Sequence, residues 1–199
     1  MKNNNQMVND IRSIADSAVS KINTAVGGTI ISYNPGTNRA TVKPIGTKLF
    51  EDNRRLPYPD IFNVPVVFPT SMGGTCGVTF PLNPGDGCLL VFSQDNMDDF
   101  LNDGGKTDDV RQFQLNDAIC IPGLYTGATD GMANKSGSLC LFFGGSTITL
   151  DGGGFVGTLA DGTSFNFSGS DLVVNGISLT KHVHGGVIPG GGNTSTPKS

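Results

Sequence analysis

Thr163-Ser164-Phe165-Asn166-Phe167-Ser168-Gly169-Ser170-Asp171-Leu172-Val173-Val174-Asn175-Gly176-Ile177-Ser178-Leu179-Thr180 is a succession of short alternating runs parted by Gly, Ser, Asp and Asn. Successive side chains of a strand point to opposite faces. Phe165 and Phe167, Leu172 and Val174, and Ile177 and Leu179 therefore form apolar pairs, with Ser, Thr and Asn on the other face. The same texture extends upstream, so that short β pieces are predicted at 138–143, 146–151, 155–160, 163–168, 171–175 and 176–180, with Ile148 and Leu150 as another apolar pair. Recurrence every five to nine residues or about that is the texture of a β-helix or solenoid. With so little helix to lie over them, these strands cannot bury their apolar face within one chain, and their open edges invite further pairing. Association with identical copies solves both problems, and closed cyclic symmetry is the usual outcome.

The run continues as Lys181-His182-Val183-His184-Gly185-Gly186. On an extended strand His182 and His184 project to one side, roughly 7 Å apart, and two imidazoles at that spacing reach one metal ion. They are the chain's 2 histidines. A zinc centre takes three or four protein ligands, and no partner set stands elsewhere in the chain, so further ligands come from other copies. Two-fold pairing brings four imidazoles together; three-fold winding brings six. Simple alternation puts the pair on the face of Ser178 and Thr180, opposite Ile177 and Leu179, unless a bulge near Lys181 changes the parity. The glycines at 185, 186, 190, 191 and 192 let the chain turn tightly beyond them.

Composition agrees with a mainly β protein. The 199 residues include 29 Gly and 11 Pro, only 15% are charged, there is no Trp, and Glu51 is the lone glutamate. Scarce helix formers and frequent Thr, Val, Phe and Asn favour strands. A net charge of -4 offers little attraction to nucleic acid or anionic lipid. Cys76, Cys88, Cys120 and Cys140 form no C-x-x-C pair and sit in apolar runs, as small buried hydrophobes do. The polar start, Met1-Lys2-Asn3-Asn4-Asn5, is followed by no apolar leader core, and no apolar run approaches the length of a membrane helix. Synthesis in a cytoplasm is the expectation.

Taken in order, residues 7–26 are predicted as one amphipathic helix, with Val8, Ile11, Ile14, Ala15, Ala18, Val19, Ile22 and Ala25 at helical spacing and Gly27-Gly28 as its stop. It covers either its own domain or a neighbouring protein. The period then becomes two. Strands are predicted at 29–33 and 39–44 about the turn Asn34-Pro35-Gly36-Thr37, and at 62–68, 75–80, 87–93 and 117–121, with a short helix at 95–101. This set fits a small Greek-key barrel of the OB type, or a sandwich. OB barrels often bind oligonucleotides, but few Lys and Arg and no basic-aromatic pattern accompany this one.

The order of parts resembles the central spike proteins of contractile phage tails and related injection systems, of the short type without a lysozyme domain. The resemblance rests most on 176–189, ending His182-Val183-His184-Gly185-Gly186-Val187-Ile188-Pro189. It implies an N-terminal helix (1–27), an OB-fold barrel (28–125), a trimeric intertwined β-helix stalk (126–180) and a tip (181–199). It further implies one structural iron, Fe2+, per homotrimer, held by His182 and His184 of each chain; ligand type alone suits Ni(II) equally. The implied role is a baseplate spike at the virion tail tip that breaches the host outer membrane on contraction, held by a hub protein at its N-terminal end, with no nucleic-acid partner. Two other readings stand beside it: an OB-fold oligonucleotide or carbohydrate binder with a flexible tail, and a small metalloenzyme. A cupin-like centre needs a carboxylate and another His downstream, and the residues after His184 hold no Asp, Glu or His. A glycosidase needs paired carboxylates, whereas Glu51 lies in a charged loop and Asp98 and Asp99 read as the exposed, capped end of a short helix. No catalytic residues are assigned.

Overall fold

The computed structural model describes residues 4–49, 54–101, 109–124, 137–183, 186 and 190. The chain divides into two compact units, Met1–Asp130 and Gly131–Ser199. Among the described residues no helix is long and apolar enough to cross a membrane. Glu51 lies outside the described residues.

The first unit opens with helix α1 (Asn4–Val19). It is shorter than the helix expected over 7–26. Its last turn tightens at Lys21 and Ile22, whose N–H groups donate to Ala18 O and Val19 O at 3.2 and 3.1 Å. Ala25 and Val26 belong instead to strand β1 (Ala25–Asn34), where Val26 packs against the core. Pairing with β strands outweighs helical spacing there, and Gly27 and Gly28 are strand residues rather than a helix stop. Met7, Val8, Ile11, Ile14 and Val19 are all exposed on α1.

Strand β1 turns through Asn34, whose side chain accepts from Gly36 N at 2.9 Å, into β2 (Arg39–Pro44). Two short pieces, β3 (Thr47–Leu49) and β4 (Arg55–Pro57), pair with each other before β5 (Ile61–Pro65). The run expected at 75–80 shrinks to a two-residue pairing of β6 (Thr70–Ser71) with β7 (Cys76–Gly77). Then follow β8 (Gly87–Phe92), helix α2 (Asp98–Leu101) and β9 (Ala118–Pro122). The five main strands form one antiparallel sheet in the order β5-β2-β1-β8-β9. The sheet curls until its edges meet: Val66 bridges Cys120 in parallel, and Val67 N donates to Cys120 O at 2.9 Å.

Alternation points Ala40 and Val42 of β2, Cys88, Leu90 and Phe92 of β8, and Ala118 and Cys120 of β9 into a shared core with Ile30, Ile61, Val64, Val66 and Phe68. Cys88 and Cys120 are buried as expected, Cys140 is half-buried, and Cys76 is exposed because β7 lies outside this core. Directly before β9, Asp117 is fully buried. It accepts from Arg111 Nε and an Arg111 terminal nitrogen, both at 2.9 Å, and from Met97 N at 2.9 Å. Asp98, expected as a solvated helix end, accepts from the same guanidinium at 2.7 Å.

The second unit is a six-stranded antiparallel meander of β10 (Leu139–Phe143), β11 (Ser146–Asp151), β12 (Gly154–Thr158), β13 (Ser164–Ser168), β14 (Asp171–Val174) and β15 (Ile177–Ser178), each paired with the next. Within one chain the repeating texture is thus an up-and-down sheet and not a parallel-stacked coil. The β14–β15 turn carries Asn175 at φ 48° and Gly176 at φ 82°, the two positive angles a tight type I′ hairpin demands.

Candidate functional site: an uncovered apolar face and its histidine end

Register defines the two faces of the meander. Leu141, Ile148, Gly157, Phe165, Val174 and Ile177 stand directly opposite one another in turn across all six strands. A second row runs Leu139, Leu150, Phe155, Phe167 and Leu172, and Leu179 N–H extends it by donating to Leu172 O at 2.8 Å. Residues opposite in an antiparallel pair share a face, so these rows form one continuous apolar surface. At Gly157 the Phe165 ring takes the side-chain space, since an added Cβ would lie 2.2 Å from its Cε1.

Burial is inverted relative to an isolated folded sheet. On the apolar face Leu141, Leu150, Phe167, Ile177 and Leu179 are each at least half exposed. On the other face Thr149 is 7% exposed, in a row with Cys140, Val156, Asn166, Val173 and Ser178. Every buried hydrophobic residue of the core belongs to the first unit. The second unit therefore has an apolar surface that its own described residues leave wet.

At the end of β15 the extended chain stops, earlier than alternation through His184 supposes. Asp171, the first residue of β14, accepts from Ser178 Oγ at 2.5 Å and from Thr180 N at 3.2 Å. Ser178 Oγ in turn accepts from Lys181 N at 2.8 Å, a local hydroxyl-to-backbone bond that competes with continued strand. The hydroxyl of Ser178 holds the Asp171 carboxyl below its ordinary value. A turn at 179–181 follows, so the alternation of β15 does not run on to His182. It delivers the His182 ring onto the backbone: Nδ1 lies 2.9 Å from Ser178 O and 3.1 Å from Leu179 O.

Both partners are carbonyls, which only accept, so Nδ1 carries the hydrogen and the neutral ring's lone pair is on Nε2. A ligating histidine ordinarily donates its other nitrogen in this way. The donor chemistry at His182 thus suits a metal. His184 lies outside the described residues, as do Val187, Ile188 and Pro189. Among the described residues no three of His, Cys, Asp and Glu cluster as one chain's metal site.

Two family models match the chain. Residues 26–123 match the phage protein Gp138 N-terminal domain, and residues 176–198 match the GpV Apex motif. The chain belongs to the phage tail spike proteins. The first match in this spike protein takes in the curled sheet from β1 to β9, and the second takes in β15 and both histidines. No curated protein matches the spike chain. Its role is structural, in a tail or baseplate assembly, and its place is the virion tail tip. Sequence reading singled out His182 and the apolar pairs but not Asp171, because nothing in an alternating pattern marks a carboxylate that reaches Ser178 and Thr180 across a hairpin. Arg111 was missed for a similar reason: its partners Asp98 and Asp117 lie on either side of it in sequence and meet only in the fold.

Proposed function

We propose that three copies of this chain wind about one another into a needle that pierces the host outer membrane when the tail contracts. The observation that carries this is the wet apolar face of the β10–β15 meander. Eleven apolar side chains on it, partly covered already, would contribute on the order of 10 kcal/mol per chain if buried against copies, before the costs of association. Threefold closure would leave no free edge at the stalk. The strand order β5-β2-β1-β8-β9 with its parallel closing bridge supports reading the first unit as an OB-type barrel, here a scaffold. The exposed apolar stripe of α1 supports its docking on the baseplate hub.

At the tip, His182 and His184 of the three chains would hold one ferrous ion, whose six imidazole ligands leave no position for substrate. The ion supplies a cross-link where three chain ends would otherwise fray. Replacing both histidines by Ala is expected to remove iron from the purified protein and lower the melting temperature of the stalk, with the barrel still folded. Iron content unchanged by elemental analysis would place the ion elsewhere. Replacing Ile11 and Ile14 by Asp is expected to leave the trimer mass intact and prevent incorporation into tails, scored by immunoblot of purified particles. Normal incorporation would remove α1 from the hub contact.

A further inference from the structure

We infer that Asp171 is the positioning residue of the histidine end: by holding the turn that follows β15, it fixes the ring nitrogen that His182 presents to a metal. The inference rests on the metal reading of the tip for its purpose and on the hydrogen bonds for its substance. The chain of contacts has three links. Asp171 takes the Ser178 hydroxyl hydrogen at 2.5 Å and the Thr180 amide at 3.2 Å. The hydroxyl's hydrogen being committed, its lone pair faces Lys181 N at 2.8 Å. The turn so closed brings Ser178 O and Leu179 O together on one side, where both receive Nδ1 of His182, and Ser178 O also receives the His182 amide at 3.2 Å.

A neutral imidazole has one hydrogen to place. Two carbonyls gathered at Nδ1 oblige it to sit there, since a bare Nδ1 lone pair would face their oxygens. Nε2 is then the basic atom. Take away Asp171 and the Ser178 hydroxyl is no longer steered, the Thr180 amide loses its acceptor, and the carbonyl pair is left to the Leu179 N–H bond to Leu172 O and the His182 amide bond to Ser178 O, which do not fix the turn at 179–181. The carboxylate stands on β14, tied to the sheet by its pairing opposite Ser168, so the turn is referenced to the rigid meander. Supporting groups of this kind ordinarily change metal affinity 10- to 100-fold, or about that, when removed.

The test uses the full chain with ring-15N histidine. In the metal-free protein, the 15N shifts of His182 are expected to report hydrogen on Nδ1. Asp171→Ala is expected to give a mixture of the two tautomers. Asp171→Asn, which keeps one acceptor oxygen, is expected to lie between, and Ser178→Ala to resemble Asp171→Ala. With ferrous iron loaded, competition against a ferrous chelator is expected to show retention weakened roughly 10- to 100-fold in Asp171→Ala. Iron held equally by both proteins, or identical ring shifts, would overturn the inference. If the unsubstituted protein takes up no iron, the metal reading falls, and the ring shifts alone decide on Asp171.

Discussion

Phe167→Asp is expected to turn the assembled spike protein into a species that sediments at one chain's mass. Phe167 stands in the second apolar row between Phe155 and Leu172 and is 55% exposed in the single chain. In a threefold stalk the substitution would place three carboxylates in a shared apolar interior. Each unpaired buried charge costs several kcal/mol, and the three would also repel one another, against on the order of 10 kcal/mol per chain from covering the face. Thr158→Lys, on the opposite face between Thr147 and Ser164, is the matched control and is expected to leave the mass unchanged. Sedimentation velocity reads both. Equal masses for the two variants would show that the apolar rows do not hold copies together.

Arg111→Met is expected to destabilise the first unit by roughly 3–5 kcal/mol, the usual effect of removing one partner from a buried ion pair. Asp117 has no exposed surface, and Arg111 provides two of its hydrogen bonds; Met fills space but leaves that carboxylate buried without its counter-charge. Urea unfolding followed by a probe in the barrel measures the loss. A pH dependence accompanies it. Arg111 also holds Asp109 below the ordinary carboxyl value of 3.8. A depressed folded value means stabilisation that is complete above 3.8 and lost as pH falls through the folded value. The small part of the gap that Asp109 contributes is therefore expected to be present at neutral pH and to be lost below 3.8. A loss under 1 kcal/mol or so at neutral pH would mean that water replaces the guanidinium at Asp117.

Much of this was legible in the sequence because it is set by local periodicity. Strand pieces predicted at 146–151 and 87–93 coincide with β11 and β8 to within a residue, since alternation and turn residues act over a few positions. Where tertiary contacts decide, reading along the chain failed. Ala25 and Val26 continue a helical pattern yet pair with Val91 and Leu90 on β8. Cys76 sits in an apolar run, yet the chain around it closes a two-residue hairpin. The histidine end shows both sides of this. The pair of imidazoles is visible as residue types, but the ring orientation of His182 depends on Asp171, whose contacts span a hairpin and a turn. The alternating apolar pairs were visible too, and the rows across β10–β15 give each of them its cross-strand neighbour.

The most direct test of threefold assembly is the mass of the unsubstituted spike protein in solution, measured by sedimentation equilibrium with iron determined on the same sample. Three times the 20.7 kDa chain mass, with one iron for every three chains, is the expected result. A single species of 20.7 kDa across the micromolar range, or a dimer, would contradict it.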